Sequence, residues 1–247
     1  MGSTVKVNNI EIWYEEFGDK TNQTILLIMG ANANCMQWDQ EFIDALIAKD
    51  FHVVRFDNRD VGKSTWFGKE PAINKILKFL PSFILKTLVN SIFGLAVDDK
   101  GKFKFSENTK VQYNLSDMAQ DAVSLMNELQ IKKAHIIGAS MGGMITQLIA
   151  LDHSDKVLSI TPIMTSPGIQ NDSLSGPTNG LLEAMKKSFV FNLKGKLEDG
   201  VVEIYRQLTG SRFPFNEADF REKLVPVMAH VNNPFAQHGA AVGASAD

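Results

Sequence analysis

Ser140 is the residue whose surroundings most clearly imply chemistry. It lies in Ile136-Ile137-Gly138-Ala139-Ser140-Met141-Gly142-Gly143-Met144, the pattern Gly-x-Ser-x-Gly between an apolar β-branched run and a helix-like run through Ile145, Leu148 and Ile149. A strand passing straight into a helix turns sharply at the serine, and small residues two before and two after keep the backbones from colliding. That turn lifts the hydroxyl above the sheet edge and aims the first N–H groups of the helix at a developing oxyanion. The chemistry implied is nucleophilic attack on a carbonyl. The plainer reading is a small-residue turn with a helix-capping serine. Two nucleotide-binding readings fail. Gly62-Lys63-Ser64 lacks the glycine five positions earlier, where Asp57 stands, and Ser140 occupies the second glycine position of a dinucleotide fingerprint opening at Gly138.

A serine hydroxyl needs a base to take its proton and a carboxylate to orient that base. Of the five histidines, His52 opens a strand at the far end of the sheet, and His135 lies inside the strand that delivers Ser140. His153 ends the following helix, where a cation suits the dipole. His230 and His238 remain as weak candidates to approach Ser140, and Asp172 and Asp247 as equally weak acids. No His/Cys/Asp/Glu group has metal-ligand spacing, and no cofactor is implied.

The elements that must position the serine follow from periodicity. Val5 and Val7, then Ile10, Ile12 and Tyr14, alternate around Asn8-Asn9 and predict a hairpin. Thr24 to Met29 and His52 to Phe56 read as strands, the first buried on both faces, with a helix through Trp38, Phe42 and Leu46 between them. Asn114, with Asp117 three residues on, caps a helix presenting Met118, Ala122, Leu125 and Leu129. Val157 to Met164 is the last strand, with Pro162 an oddity inside it. Beyond it come a Ser/Asn/Gly/Pro-rich loop, Gly168 to Gly180, and helices over Leu181 to Val190, Leu197 to Leu208 and Glu217 to Val231. Between Ala72 and Val97 the chain is strongly apolar at helical spacing on both sides of Pro81, and Lys75, Lys78, Lys86 and Pro81 argue against a membrane span. Two amphipathic helices are predicted, with an apolar face buried in the protein, covering a ligand site, or lying on a membrane surface. The alternation predicts an α/β fold, a doubly wound, mostly parallel sheet. Residues 1–168 would form the core, with the apolar insertion at 72–97, and 169–247 a helical cap.

The 247 residues are 44% hydrophobic, enough for a substantial core, and the net charge of −3 gives no support to a nucleic-acid partner. One cysteine, Cys35, forms no internal disulfide, and the N-terminus lacks a signal-peptide core, so a cytoplasmic protein is expected.

With these elements placed, the chain resembles the α/β-hydrolase family. Leu26-Leu27-Ile28-Met29-Gly30-Ala31 with Trp38-Asp39 is similar to that family's oxyanion loop, and Phe56-Asp57-Asn58-Arg59-Asp60-Val61-Gly62-Lys63-Ser64 to its loop after the fourth strand. Tyr113 to Ala119 resembles the start of the helix before the nucleophile strand, and Gly138 to Gly142 the nucleophile elbow. Met29-Gly30, the Asp-Asn-Arg-Asp loop and Ile163-Met164-Thr165-Ser166 are similar to a bacterial subgroup that includes aclacinomycin-type methylesterases. The resemblance implies a carboxylic ester hydrolase acting on a small hydrophobic ester. Ser140 would be the nucleophile, the N–H groups of Ala31 and Met141 the oxyanion hole, and Asn32 either an added donor to substrate or a turn residue.

The family order is Ser, Asp, His, with the acid after the seventh strand and the histidine after the eighth. No further strand is legible after Met164, and roughly 60 residues, two strand-and-helix units, would complete the pattern. A C-terminally truncated hydrolase is therefore expected, with the last core strands absent and Val157 to Met164 left as an exposed edge that an oligomer or partner would cover. Two alternatives stand beside it: a non-catalytic hydrolase-like binding module, and a peripheral membrane protein docked through 73–97.

Overall fold

The computed structural model describes residues 2–98, 102–104, 112–167, 176–230, 233 and 236–244. The chain divides into two compact units. Met1–Gly68, Thr109–Gln170 and Ala229–Asp247 form the first; Lys69–Asn108 and Asn171–Met228 form the second.

The first unit is built on strands β1 (Ser3–Val7), β2 (Ile10–Phe17), β3 (Thr24–Ile28), β4 (His52–Phe56), β5 (Ala134–Ala139) and β6 (Val157–Ile163), in sheet order β1-β2-β4-β3-β5-β6. The β1-β2 and β2-β4 pairs are antiparallel; β4, β3, β5 and β6 run parallel. All five residues of β3 are buried, as a continuous apolar run in a covered parallel sheet should be. All five of β4 are buried as well, its polar members paired: His52 with Thr24, and Arg55 with Glu15. One face of the sheet packs Leu26, Ile28, Val54, Phe56 and Ile136 against Met118, Ala122, Leu125 and Ile145. These last belong to helices α4 (Leu115–Glu128) and α5 (Met141–Asp152). The opposite face packs Ile25, Leu27 and Val53 against Trp38 and against Ile43 of α1 (Gln40–Ile47). The predicted cap of α4 is present as a reciprocal capping box: Asn114 accepts from the Asp117 N–H, and Asp117 accepts from the Asn114 N–H. Helix α9 (His238–Ala244) also belongs to this unit, and its Ala241 joins the first core.

Strand β6 is the open edge, and Leu158 to Pro162 are all exposed. The Ile163 carbonyl accepts the Ser140 N–H at 2.8 Å, so Ile163 faces β5 and, by alternation, Pro162 turns its backbone to the free edge. The missing N–H of Pro162 therefore removes no ladder bond and leaves a gap in the exposed row of donors. Leu158 and Ile160 remain exposed on this edge. Concentration-dependent association through it is expected, and Ile160→Lys should lower the associated fraction in sedimentation velocity. An unchanged distribution would count against association through this strand.

In the second unit, α2 (Asn74–Leu77) and α3 (Ser82–Ala96) flank Pro81, as the spacing predicts. Leu85 and Val89 of α3 pack on Val190 and Leu193 of α6 (Asn179–Leu193). Lys194 donates to the carbonyls of Lys78 (2.9 Å) and Leu80 (2.5 Å), holding the end of α2 where Pro81 interrupts the helical ladder. Helices α7 (Leu197–Leu208) and α8 (Glu217–Ala229) complete the element series; α8 runs one residue past the second unit.

Candidate active site

The strand-to-helix turn at Ser140 is strained in the way the motif requires. Ser140 has φ 53° and ψ −121°, a conformation costly for a residue with a Cβ. A side chain at Gly138 would overlap the Gly142 carbonyl and Thr146 Oγ1, and one at Gly142 would overlap the Ile28 carbonyl. Only glycine fits at either place. Ser140 is exposed, and among the described residues its hydroxyl makes no hydrogen bond. The serine is thus presented by the backbone and does not cap its helix through its side chain, as a capping serine would.

The loop after β3 lies against this turn. A Cβ on Gly30 would stand 3.2 Å from Ser140 Cβ and 3.7 Å from Oγ. Asn58 Nδ2 donates to the Met29 carbonyl at 2.9 Å and holds the residue before that glycine. Asn32 has φ 59°, the left-handed conformation that asparagine tolerates, and its N–H donates to His238 Nδ1 at 2.8 Å. Met141 is buried as the first residue of α5, where helix N–H groups have no intrahelical acceptor.

Asp57, Asn58, Arg59 and Asp60 follow β4 directly, and all four are buried. Asp57 accepts from the Cys35 N–H (2.9 Å), the Lys63 N–H (2.9 Å) and His230 Nε2 (2.6 Å). Gly62, at φ 56°, is forced because a Cβ there would overlap the Asp57 carboxylate. The rejected phosphate-loop glycine therefore has a structural cause. Arg59 makes a two-pronged pair with buried Asp121, at 2.6 and 2.8 Å, and lies over the rings of Phe67 and Tyr113. Asp60 accepts from the N–H groups of Phe67, Gly68 and Gln237, from Tyr113 Oη and from Asn233 Nδ2. Burial and the Asp60 carboxylate push the Tyr113 hydroxyl well up, so it stays a donor. This loop anchors His230, Asn233, Gln237 and His238 to the sheet.

All five histidines lie within the described residues, and none meets Ser140. His230 is held by Asp57 and packs on Trp13 of β2, ring centroids 4.5 Å apart. Strand β2 is three strand spacings, about 14 Å, from β5. His238 uses both ring nitrogens: Nδ1 accepts from Asn32, and Nε2–H donates to the Arg59 carbonyl at 2.7 Å. His153 is one helix length from the serine, about 20 Å. The two histidines left open by the sequence are structural members of the core unit. Asp172 and Asp247, the weak candidate acids, lie outside the described residues.

One cluster was not legible in the sequence. Cys35, Asp57 and His230 bring Sγ, a carboxylate oxygen and a ring nitrogen within 4.8 Å of one another, from positions 22 and 173 residues apart. Burial, then the charge of Asp57, pushes the Cys35 thiol well up, so it is a poor nucleophile. The 2.6 Å His230–Asp57 hydrogen bond and the two backbone donors on Asp57 account for the cluster as a buried polar network.

A model of the alpha/beta hydrolase fold matches residues 23–196, which include the loop after β3, the Ser140 turn and β6. The chain belongs to the alpha/beta hydrolase fold family. The six strands among the described residues are fewer than the eight that the family pattern implies. The rhodomycin D methylesterases of Streptomyces sp. (strain C5) and Streptomyces peucetius are each 24% identical to it. Each alignment covers 94% of this chain and 71% of the relative. Among solved structures, carboxylesterases of the thaumarchaeon Nitrososphaera gargenis match at TM-score 0.63 and 19% identity, over 100% of this chain and 73% of theirs. The enol-lactonase of Burkholderia xenovorans LB400 matches at TM-score 0.59 and 18% identity, over 99% and 74%. At such identities these structures establish the fold.

The buried histidines carry a pH dependence. Burial lowers the affinity of His238 and of His52 for a proton below the ordinary value of 6.5. The folded state then binds fewer protons than the unfolded chain, so stability is complete above about pH 6.5 and falls as the pH drops below it. Protonating His238 also turns Nδ1 from acceptor to donor against the Asn32 N–H. Urea midpoints measured between pH 7.5 and 5 should decline, and less steeply in His238→Gln. Parallel curves for the two proteins would refute the assignment to His238.

Proposed function

We propose that the first unit carries a carboxylic ester hydrolase site for a small hydrophobic ester, with Ser140 as nucleophile. The reading is carried by the approach of Gly30 to the strained Ser140 turn. That approach lays the loop after β3 beside the hydroxyl, where the N–H groups of Ala31 and Met141 serve as oxyanion donors. Each such donor contributes about 3 kcal/mol to the transition state. Asn32, exposed two residues after Gly30, meets the substrate from the same loop. Ser140 Oγ attacks the carbonyl carbon, its proton passes to a base, the alcohol leaves, and water hydrolyses the acyl-serine. No histidine of the chain is placed to take that proton, so acylation by this chain alone is slow. No cofactor takes part in this scheme. The single buried Cys35 suits a reducing, cytoplasmic setting.

A fluorophosphonate probe followed by peptide mass spectrometry tests the assignment. The adduct is expected on Ser140, and Ser140→Ala should label no faster than denatured protein. Equal labelling of both proteins would refute it. A second reading, a non-catalytic module binding the same ester class, is favoured by the engagement of His230 and His238 elsewhere. Saturable ester binding with no adduct at Ser140, even with added base, would select it.

A further inference from the structure

Helix α3 carries more apolar surface than its partner covers. At 100° per residue, Ile84, Leu88, Ile92 and Leu95 fall on one stripe about 80° wide, beside the sector of Leu85 and Val89 that packs on α6. The stripe is exposed along its whole length. Phe79 and Phe83, on either side of Pro81, are 80% and 71% exposed. Between Pro71 and Val97 the charge is of one sign: there are three lysines, Lys75, Lys78 and Lys86, all exposed, and no aspartate or glutamate, with Glu70 and Asp98 flanking the segment. No helix among the described residues is long and apolar enough to cross a membrane.

We propose that the α2–α3 surface of the second unit docks on an anionic lipid surface, with α3 lying in the interface plane and the Ile84–Leu95 stripe inserted. A membrane supplies both things this surface lacks, an apolar phase for the stripe and negative charge for the lysines. A second copy is a poor occupant, because face-to-face packing would bring together two α2–α3 surfaces of the same positive sign, neither with a carboxylate between Pro71 and Val97. The inference rests on this unit's own surface and is independent of the ester-hydrolase reading, so its test reads binding and not turnover.

The test is co-sedimentation with vesicles of phosphatidylcholine alone and with 30% phosphatidylglycerol, at 50 and 500 mM salt. Binding to the anionic vesicles is expected to exceed that to neutral ones by about a hundredfold, since each lysine near the surface contributes about fivefold. It should weaken sharply at high salt. Phe83→Gln/Leu88→Gln/Leu95→Gln, all at exposed positions, should lose at least tenfold with an unchanged circular dichroism spectrum. Lys75→Gln/Lys78→Gln/Lys86→Gln should lose the preference for anionic vesicles. The proposal is overturned by absence of co-sedimentation at low salt, or by binding that neither variant alters. A dimer in light scattering that the apolar variant dissociates would also overturn it.

Discussion

Asp57→Ala is expected to destabilise the first unit by about 3–5 kcal/mol, a large share of the 5–15 kcal/mol that holds a typical domain folded. Asp57 is fully buried and accepts three hydrogen bonds, and two of its partners, the Cys35 N–H and His230, are buried where they cannot turn to water when it is removed. Two of these donors are backbone N–H groups, of Cys35 and Lys63, and the third is His230, itself 4% exposed. Leaving each buried donor without an acceptor costs about 1–3 kcal/mol. The damage spreads in sequence, because the same carboxylate ties the turn after β3, the loop after β4 and the segment at 230 together. Asp57→Asn keeps the shape and can hold its carbonyl toward Lys63 and His230, but it then sets its amide NH2 against the buried Cys35 N–H, and should lose less than Asp57→Ala. Guanidinium unfolding followed by tryptophan fluorescence measures both, since Trp13 packs on His230. A midpoint within about 0.5 kcal/mol of wild type would show that the network is not holding the unit together.

The second large effect concerns Ser140. Without a positioned base, catalysis should be limited to what donors and binding supply, about 10³–10⁴-fold over water in systems stripped of their triad. In plain buffer, wild type and Ser140→Ala are therefore expected to hydrolyse 4-nitrophenyl butyrate within about threefold of each other. Added imidazole supplies the missing proton acceptor. It should raise the enzyme-dependent rate of wild type by about tenfold, a part of the 10²–10⁴ that a fixed general base contributes. Ser140→Ala should show no such gain, because its site has no hydroxyl to deprotonate. A wild type already fast in plain buffer would show that a base reaches Ser140 after all. A gain shared equally by both proteins would remove Ser140 from the reaction.

The open edge at β6 and the exposed stripe on α3 place unsatisfied surface on two separate parts of the chain, and the two differ in kind. The edge offers backbone carbonyls and the N–H groups of Leu158 and Ile160, interrupted at Pro162, and so favours an extended polypeptide. The stripe offers side chains alone, on a helix whose backbone is already satisfied, and favours a nonpolar phase.

Local rules were enough for much of the chain. The apolar run of β3, the Asn114–Asp117 cap, the helix break at Pro81 and the strand-to-helix turn at Ser140 each depend on residues within a few positions of one another. Pattern and steric limits therefore made them readable. The resemblance to α/β-hydrolases followed from their order along the chain, and the matching residues 23–196 bear it out. The Asp57–His230, Asn32–His238 and Asp60–Asn233 contacts were beyond that reach, each joining groups more than 170 residues apart. Nothing local in Asp57-Asn58-Arg59-Asp60 distinguishes a buried polar loop from an exposed one. Only chain closure shows whether donors arrive to cover its carboxylates. The same closure decided the fate of Ser140. The sequence by itself determined that a serine would be held in a strained turn at the sheet edge. The tertiary structure decided that His230 and His238, the two histidines the sequence left open as partners for it, are paired with Asp57, Asn32 and Arg59, because buried polar groups must be paired before the core can form.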